Sequence, residues 1–485
     1  MLHLTSLPGG HGIGDLGAAA HQFVDTLAAA KQTWWQMLPL GPAGAGDSPY
    51  QAYSAFAGNP NLISLDALVE EGLLEQFEQP EFPARRVDFR RVSRWKERQL
   101  VNAWFLLRRN HDHPLRLAFK RFRREQSWWL EGFALFMALK QSFGEKSWTN
   151  WPRELVRREP RAIANAQREF EPDIERISYE QFLFFRQLDA LRRHAKSKGV
   201  KLIGDLPIFV SPESADVWTN PHLFLLDRDR RPKVVAGVPP DYFSKTGQRW
   251  GNPLYDWKAM QQEGYRWWIQ RIRATLDQVD LVRIDHFRGF AASWHVPAHL
   301  PTAEKGRWVK TPGRELFEVL HKELGELPFI AEDLGLITPD VERLRDELGL
   351  PGMRVLQFAF GDGADNPFLP HRYVRNTVVY TGTHDNDTTA GWYRELTKEQ
   401  KAFVRRYART SDREAVWSLV RLAWSSVADL AIVPLQDLLE LDADARMNLP
   451  GSSTGNWSWR VRPPQLRPAN FDRLRDLTET FGRSK

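Results

Sequence analysis

The chain has 485 residues, of which 42% are hydrophobic, so it can bury a large core as one barrel with insertions or as several domains. It contains no Cys, which excludes disulfides, thiolate metal sites and a cysteine nucleophile. Its net charge of +6 is small against 67 basic and 61 acidic residues, but the charge is unevenly spread along the chain.

Eight short apolar segments, separated by helical patterns, predict the strands of a barrel. They lie near Leu2–Leu4, Trp34–Leu40, Lys201–Leu206, Asp280–Ile284, Pro328–Ala331, Arg354–Ala359, Thr377–Tyr380 and Asp429–Val433. Helical periodicity is clear over residues 16–31 and 178–198. The alternation of strands and helices favours an α/β fold, here a (β/α)8 TIM barrel formed by one catalytic domain over residues 1–485.

Long gaps between these segments predict insertions into the barrel. The gap from Leu40 to Lys201 is too long for one connection, and we expect an inserted, mostly helical subdomain over about residues 60–175. Further loop insertions are expected over about 210–265, where Pro and Gly recur, and over about 440–465.

Residues 85–124 form a basic patch, with 14 Lys and Arg against 3 Asp and Glu. Such a patch is the electrostatic footprint of nucleic-acid binding, but no nucleic-acid reading motif accompanies it, so solvated faces of amphipathic helices are preferred. The first residues lack the basic and apolar regions of a signal peptide, and no apolar run reaches about 18 residues. We therefore expect a cytoplasmic protein that binds neither nucleic acid nor membrane.

The segment Gly12-Ile-Gly14-Asp-Leu-Gly17 fits the G-x-G-x-x-G pattern of dinucleotide-binding proteins, so a dehydrogenase is one alternative. That pattern also needs an acidic residue about 20 positions further on, at the end of the next strand. No acid occurs between Asp25 and Asp47. A tight turn and close helix packing account for the same glycines, and no cofactor is expected.

Three carboxylates, Asp285, Glu332 and Asp385, each follow a predicted strand. Because the C-terminal ends of parallel strands meet at one rim of a barrel, these side chains would share a pocket. Such a set suits cleavage of a glycosidic bond, which needs one carboxylate as nucleophile and one carboxylic acid as proton donor. A salt bridge or a helix cap would explain any one of them alone, but three at strand ends favour function.

The neighbours of these carboxylates suggest different roles. Arg283 and Asp285 should share a face of their strand, and the guanidinium would keep Asp285 ionised as a nucleophile. Glu332 follows an apolar run, where desolvation would raise its pKa and keep the proton needed at the leaving oxygen. The same residue would deprotonate the incoming acceptor, with net retention of configuration. Asp385 could then hydrogen-bond sugar hydroxyls at the transition state.

A metal site is the main rival interpretation, since His286, Asp285, His384 and Asp385 offer oxygen and imidazole ligands. Neither H-E-x-x-H nor an EF-hand loop occurs in the sequence, and we expect no metal.

Aromatic residues offer platforms for sugar rings, and the chain has 20 Trp. Most of them are expected in the core. Tyr50, Tyr53 and Trp250 follow turn residues, and we expect them to be exposed at the barrel mouth, where an extended sugar chain would bind.

Motifs spread over almost the whole chain form a specific set. They are Thr5-Ser-Leu-Pro with Ile13-Gly-Asp-Leu-Gly17, Ser48-Pro-Tyr-Gln, Gly204-Asp-Leu-Pro-Ile, Gly237-Val-Pro-Pro-Asp-Tyr-Phe, Gly247-Gln-Arg-Trp-Gly-Asn-Pro, Arg283-Ile-Asp-His-Phe-Arg-Gly, Ala331-Glu-Asp-Leu-Gly335, Gly382-Thr-His-Asp-Asn and Arg446-Met-Asn-Leu-Pro-Gly. This set resembles the 4-alpha-glucanotransferases called amylomaltases or, in plants, disproportionating enzyme, of the alpha-amylase clan.

The resemblance implies a barrel in which Asp285 is the nucleophile, Glu332 the acid/base and Asp385 the transition-state stabiliser. It also implies that loops around Pro239–Asn252 and Asn448–Trp459 cover the cleft. The candidate substrate contacts are Ser48, Tyr50, Asp205, Asp241, Trp250, Arg283, His286, His384 and Asn456.

The implied activity is transfer between α-1,4-glucans, with an α-1,4-glucan donor, a glucan or glucose acceptor, and no cofactor. We expect a monomer or a homodimer. Two further alternatives stay open at this point. One is a hydrolase of the same clan, because residue types do not decide whether water or a sugar hydroxyl attacks. The other is a non-catalytic carbohydrate-binding protein with idle carboxylates.

Overall fold

The structure is a computed structural model that describes residues 1–240, 244–452 and 454–484. The strands in these residues are β1 (Trp34–Gln36), β2 (Lys201–Pro207), β3 (Val234–Val238), β4 (Gln248–Pro253), β5 (Leu281–Asp285), β6 (Ala292–Pro297), β7 (Arg307–Lys310), β8 (Phe329–Ala331), β9 (Gly352–Val355), β10 (Thr377–Tyr380) and β11 (Leu430–Ile432). The α-helices are α1 (Ala18–Ala29), α2 (Leu65–Glu70), α3 (Phe89–Arg109), α4 (Leu115–Glu125), α5 (Ser127–Ser142), α6 (Arg153–Val156), α7 (Pro160–Glu169), α8 (Glu171–Ser197), α9 (Ala215–Thr219), α10 (Trp257–Gln262), α11 (Arg266–Leu276), α12 (Gly313–Leu324), α13 (Pro339–Glu347), α14 (Thr389–Glu395), α15 (Lys398–Ala408), α16 (Ala415–Ser425), α17 (Leu435–Leu438) and α18 (Asp472–Thr480).

A nearly closed parallel sheet forms the centre of the molecule. In the described part of the chain its seven strands follow the order β1-β2-β5-β8-β9-β10-β11, and every neighbouring pair is parallel. The connections between neighbouring strands of this sheet contain α-helices, except that two 3-10 helices lie between β9 and β10. The predicted α/β barrel is therefore confirmed.

The predicted strand near Leu2–Leu4 is wrong, because a 3-10 helix begins at Leu4 and only the first residues are extended. These residues nevertheless bridge the gap between β11 and β1. The Met1 ammonium group donates to the Val433 carbonyl at 2.7 Å, and the Leu2 N–H donates to the Gln36 carbonyl at 3.0 Å. Together with the bond from the Leu435 N–H to the Met1 carbonyl at 3.0 Å, these contacts hold the gap closed but are too few to form a strand ladder.

The strand predicted near Arg354–Ala359 lies earlier than expected. It is β9, and a 3-10 helix follows it over Leu356–Phe358. The predicted helices over 16–31 and 178–198 are confirmed as α1 and α8. Helix α8 begins seven residues earlier than predicted, where Pro172 in the first turn favours helix initiation.

The connection between β1 and β2 contains α2 to α8, and the connection from β2 to β5 contains β3 and β4. A second, antiparallel sheet has the order β4-β3-β6-β7. No sequence pattern had predicted this sheet. The proposed boundaries at 60–175, 210–265 and 440–465 stay predictions.

The basic patch of residues 85–124 falls on α3 and α4. In α3 the side chains of Trp95 and Leu100 are buried while Arg94 and Arg98 are exposed, so the helix is amphipathic as predicted. Among the described residues, no helix is both long enough and apolar enough to cross a membrane.

Candidate active site

Two of the three predicted carboxylates lie side by side at the C-terminal end of the barrel. Strands β5 and β8 pair with Ile284 opposite Ala331, so the next residues, Asp285 and Glu332, occupy equivalent positions on neighbouring strands. The Glu332 N–H donates to the Ile284 carbonyl, and the Phe287 N–H donates to the Glu332 carbonyl, both at 3.1 Å. The backbone of Glu332 is therefore fixed against the strand that carries Asp285.

Arg283 connects Asp285 to the buried carboxylate of Asp205. Its Nη2 lies 2.9 Å from Asp285 Oδ1, while its Nη1 donates to both Asp205 oxygens at 2.9 and 2.8 Å. The Tyr50 hydroxyl donates to Asp205 Oδ2 at 3.0 Å. The Asp205 side chain is 0% exposed, whereas that of Asp285 is 31% exposed. The predicted contact of Arg283 with Asp285 is confirmed, and Asp205 contacts these neighbours rather than the open cleft.

Glu332 lies in an environment that favours its protonated form. Burial raises its pKa to about 8, the Asp285 charge acts in the same direction, and Arg283 opposes both. Its Oε2 accepts the His286 N–H at 2.6 Å, and its Oε1 accepts the Leu334 N–H at 3.1 Å. This environment agrees with the raised pKa predicted for Glu332 and favours a protonated carboxyl group near neutral pH.

His286 adopts a left-handed backbone conformation with φ of 53°, which turns its N–H towards Glu332. Burial lowers the pKa of its imidazole to about 4, so the ring is neutral near pH 7. The ring meets Trp250 of β4 edge to face, with centroids 4.7 Å apart. The structure thus brings the predicted contacts His286 and Trp250 together beside the two carboxylates.

Asp385 follows β10 and is held by a different segment of the chain. Its Oδ1 accepts a hydrogen bond from Asn448 Nδ2 at 2.6 Å and lies 3.4 Å from His384 Nε2. Arg446 Nη2 donates to the Asp385 backbone carbonyl at 2.6 Å. Arg446 and Asn448 were not among the predicted site residues, although both lie in one of the quoted motifs.

Tyr50 links the two halves of this site. Its hydroxyl contacts Asp205, while its ring stacks on His384 with centroids 5.1 Å apart and an interplanar angle of 20°. Trp457 lies 5.8 Å from the Tyr50 ring and 5.9 Å from the His384 ring. Trp457, which was not among the predicted site residues, is buried against these rings.

The remaining predicted contacts have local roles in the structure. Ser48 Oγ accepts the Tyr50 N–H at 3.3 Å and so shapes the turn that presents Tyr50. Asn456 Oδ1 accepts the Leu449 N–H at 3.0 Å, and its Nδ2 donates to the Ser452 carbonyl. Sugar contacts by Ser48 and Asn456 stay predictions, and Asp241 lies outside the described residues.

Tyr50, Tyr53 and Trp250, which were expected to be exposed, are all only partly exposed. The aromatic contacts described above explain the partial burial of Tyr50 and Trp250, since each ring packs against a histidine of the site.

The glycines of the dinucleotide-like pattern are explained by packing. A Cβ at Gly14 would lie 2.0 Å from the Leu4 carbonyl oxygen, and one at Gly17 would lie 2.3 Å from Ser64 Oγ. Gly12 has a φ of 77°, in the left-handed region. Within residues 1–240, 244–452 and 454–484, no group of three or more His, Cys, Asp or Glu side chains is arranged to hold a metal ion.

Comparison with known proteins agrees with this geometry. The family model described as 4-alpha-glucanotransferase matches residues 2–466. The 4-alpha-glucanotransferases of Thermus thermophilus and Synechocystis sp. are 51% and 49% identical over 491 and 490 residues, covering 100% of this chain and 98% and 97% of those proteins. The amylomaltase from Streptococcus agalactiae in complex with acarbose superposes with a TM-score of 0.96 at 39% identity, covering 99% of this chain and 98% of that one. The chain therefore belongs to the 4-alpha-glucanotransferase family, whose members are transferases acting on α-1,4-glucans.

Proposed function

We propose that the enzyme transfers α-1,4-glucan segments by a retaining double displacement through a covalent glycosyl-aspartate. The donor is a maltooligosaccharide or a starch-like chain, and the acceptor is the 4-OH of another glucan or of glucose. The observation that carries the proposal is the placement of Asp285 and Glu332 at equivalent positions on neighbouring strands. Neighbouring strands lie about 4.8 Å apart, which suits the separation of roughly 5 Å between the two carboxyl groups of retaining enzymes.

In the first displacement, a carboxylate oxygen of Asp285 attacks the anomeric carbon of the donor. The bond from that carbon to the glycosidic oxygen breaks as Glu332 transfers its proton to the oxygen. The products are a glycosyl ester on Asp285 and a shortened glucan with a free 4-OH. The raised pKa of Glu332 supports this role, because the proton must be present before the bond breaks.

In the second displacement, the 4-OH of the acceptor attacks the same anomeric carbon from the side opposite to the ester bond with Asp285. Glu332, now ionised, accepts the hydroxyl proton, and the ester bond to Asp285 breaks. The new α-1,4 bond forms, and both carboxyl groups return to their initial states. Two inversions give net retention, and the reaction balances without a cofactor.

Asp385 and the aromatic residues complete the proposed site. The Asp385 side chain is 48% exposed, so one face of its carboxylate is available to sugar hydroxyls of the distorted transition state. The partly exposed faces of Tyr50 and Trp250 would contact sugar rings on either side. A monomer or a homodimer remains our expectation for the assembly, and analytical ultracentrifugation would distinguish the two.

Product analysis with maltotriose as sole substrate tests the transfer reaction. We expect longer maltooligosaccharides together with glucose, and no such products from Asp285→Asn. If the parent enzyme gave only shorter products, the chain would be a hydrolase instead. A 5-fluoro-glycosyl fluoride donor would trap the covalent ester, and peptide mass spectrometry should find the added mass on the peptide that contains Asp285.

A further inference from the structure

Strand β8, which leads into Glu332, is paired very differently on its two sides. It pairs with β5 through all three residues, Phe329, Ile330 and Ala331. With β9 it pairs only at Ala331, opposite Gly352. Beyond that point β8 has ended, and no residue of it continues the ladder on the β9 side. The last main-chain bond on the β9 side is from the Ala331 N–H to the Pro351 carbonyl, whereas the main-chain bonds of Glu332 itself go to Ile284 and Phe287 on the β5 side.

The side chain of Asp333 fills this unpaired side. Its Oδ1 accepts the Met353 N–H of β9 at 2.6 Å, a bond that the strand ladder would otherwise have supplied. Its Oδ2 contacts Arg345 Nη1 of α13 and lies 3.5 Å from Arg354 Nη1. The Asp333 side chain is 3% exposed, so this carboxylate is a buried junction between β8, β9 and α13.

Gly352 makes room for the Asp333 carboxylate. A Cβ at this position would lie 2.5 Å from Asp333 Oδ2 and 3.0 Å from its Cγ. Such distances are shorter than carbon and oxygen atoms tolerate, so any side chain here would displace the carboxylate. The Asp333 carboxylate therefore occupies space that is free because residue 352 is a glycine.

From this arrangement we propose that Asp333 is a positioning residue for the acid/base Glu332, an inference that rests on the proposed function. The two neighbouring side chains have different surroundings, because Asp333 is bonded to β9 and α13 whereas Glu332 lies beside Asp285 of β5. The Glu332 carboxyl group is bonded by the N–H groups of His286 and Leu334. Asp333 lies between Glu332 and Leu334, so anchoring it to β9 fixes the peptide that carries both the acid and one of its donors.

This role has a chemical signature that a general loss of folding would not produce. A misplaced Glu332 would donate its proton poorly, which matters most when the leaving group is a sugar hydroxyl. Fluoride leaves with little protonation, so a defect in proton donation is largely bypassed by a glycosyl fluoride donor. The value of kcat/KM reports the first displacement for either donor. A positioning defect should therefore lower kcat/KM for a glucan donor and spare that for the fluoride.

The experiment compares kcat/KM for maltotriose and for α-maltosyl fluoride in the parent and in Asp333→Ala. We expect a loss of about 10- to 100-fold with maltotriose, which is part of the factor that general acids contribute, and a loss below about threefold with the fluoride. The kcat/KM of Asp333→Asn for maltotriose should lie between those of the parent and of Asp333→Ala, because the Asn amide oxygen still accepts the Met353 N–H. Gly352→Ala, which displaces the carboxylate without removing it, should show the same donor selectivity.

The matched control is Asp346→Ala. Asp346 is the other partner of Arg345, at 2.7 Å, but it is 65% exposed and does not contact Asp333. We expect the kcat/KM of Asp346→Ala to equal that of the parent with both donors. If Asp333→Ala does not fold, as judged by circular dichroism and thermal unfolding, Asp333→Asn and Gly352→Ala carry the test.

Glu332→Gln separates this inference from the proposed function. Full activity of Glu332→Gln on maltotriose would overturn the proposed function itself. A donor-selective loss in Glu332→Gln, with equal losses on both donors or no loss in the Asp333 and Gly352 variants, would overturn the positioning role alone.

Discussion

The ring of Tyr50 lies nearly parallel to the imidazole of His384, with centroids 5.1 Å apart, while its hydroxyl donates to buried Asp205. These two contacts can be removed separately. Tyr50→Phe keeps the stacked ring and loses only the hydroxyl, whereas Tyr50→Ala loses both. We expect Tyr50→Phe to lower the free energy of unfolding by about 1.5–3 kcal/mol, since the acceptor is charged. We expect Tyr50→Ala to lower kcat/KM more than Tyr50→Phe does.

Urea denaturation and initial rates on maltotriose measure the two effects. Tyr53→Phe, on the same loop, is the control, because its ring contact with Lys140 does not need the hydroxyl. Equal activities of Tyr50→Phe and Tyr50→Ala would show that the stacked ring does not matter.

Replacing Arg283 should affect both stability and catalysis. Arg283→Ala leaves Asp205 buried without its cation, and such a loss costs about 3–5 kcal/mol in the free energy of unfolding. Arg283→Lys keeps the charge, but one ammonium group cannot reproduce the fork that contacts both Asp205 and Asp285. We therefore expect Arg283→Lys to be more stable than Arg283→Ala but to have a kcat almost as low.

Thermal unfolding and kcat on maltotriose would measure this pair of variants. The exposed pair Arg473–Glu414, at 2.7 Å, provides the control. Arg473→Ala should lower the free energy of unfolding by less than about 1 kcal/mol. A fully active Arg283→Ala would contradict the role given to the guanidinium.

The pKa of Glu332 predicts a pH dependence of both activity and stability. The donor loses its proton above a pKa of about 8, so kcat/KM should fall as the pH rises through that value. The usual pKa of Glu in an unfolded chain is about 4.3. Between these two values the folded protein holds a proton that the unfolded chain releases, so the free energy of unfolding should fall as the pH rises from about 4 to 8.

Glu332→Gln cannot ionise at this position, so its stability relative to the parent should increase across the same pH interval. We expect its kcat/KM on maltotriose to fall by about 10²- to 10⁴-fold. Urea denaturation at several pH values, with exposed Glu342→Gln as control, would measure the difference. A stability difference that is constant from pH 4 to 9 would be inconsistent with a raised pKa.

Asn448 should matter although it lies outside the barrel strands. Its Nδ2 donates to Asp385 Oδ1 at 2.6 Å, and hydrogen bonds to charged groups contribute about 1.5–3 kcal/mol. Asn448→Ala should therefore lower kcat/KM by about 10- to 100-fold. Asn448→Asp should lower it more, because two carboxylates would then face each other. Rates on maltotriose measure both variants, with surface Asn470→Ala as control, and parent-like rates for Asn448→Asp would rule out the contact.

Much of the barrel could be predicted because buried parallel strands are short apolar runs between helical patterns. Thr377–Tyr380 was predicted with its observed bounds. Leu2–Leu4 has the same apolar character, but within it only the Leu2 N–H bonds to the main chain of a neighbouring strand, which a pattern of residue types does not distinguish. Strand β3 lies in a segment rich in Pro and Gly, so it was interpreted as part of a loop insertion.

The carboxylates of the candidate site were selected because each closes or follows an apolar run, and the geometry of a barrel gathers strand ends. Asn448 and Trp457 could not be selected on the same grounds. Both lie in an irregular segment without periodicity, and their contacts with Asp385 and with the Tyr50 ring depend on how the end of the chain folds back.

The contact between the rings of Tyr50 and Trp457 joins the loop after the first strand to the last part of the barrel sequence. A polypeptide still emerging from the ribosome therefore lacks part of the Tyr50 environment until residue 457 has been made. Early synthesis can produce helices and neighbouring strand pairs, but the surroundings of Tyr50 are complete only when both ends have met. Recovery of activity during refolding should accordingly lag behind the recovery of helical circular dichroism.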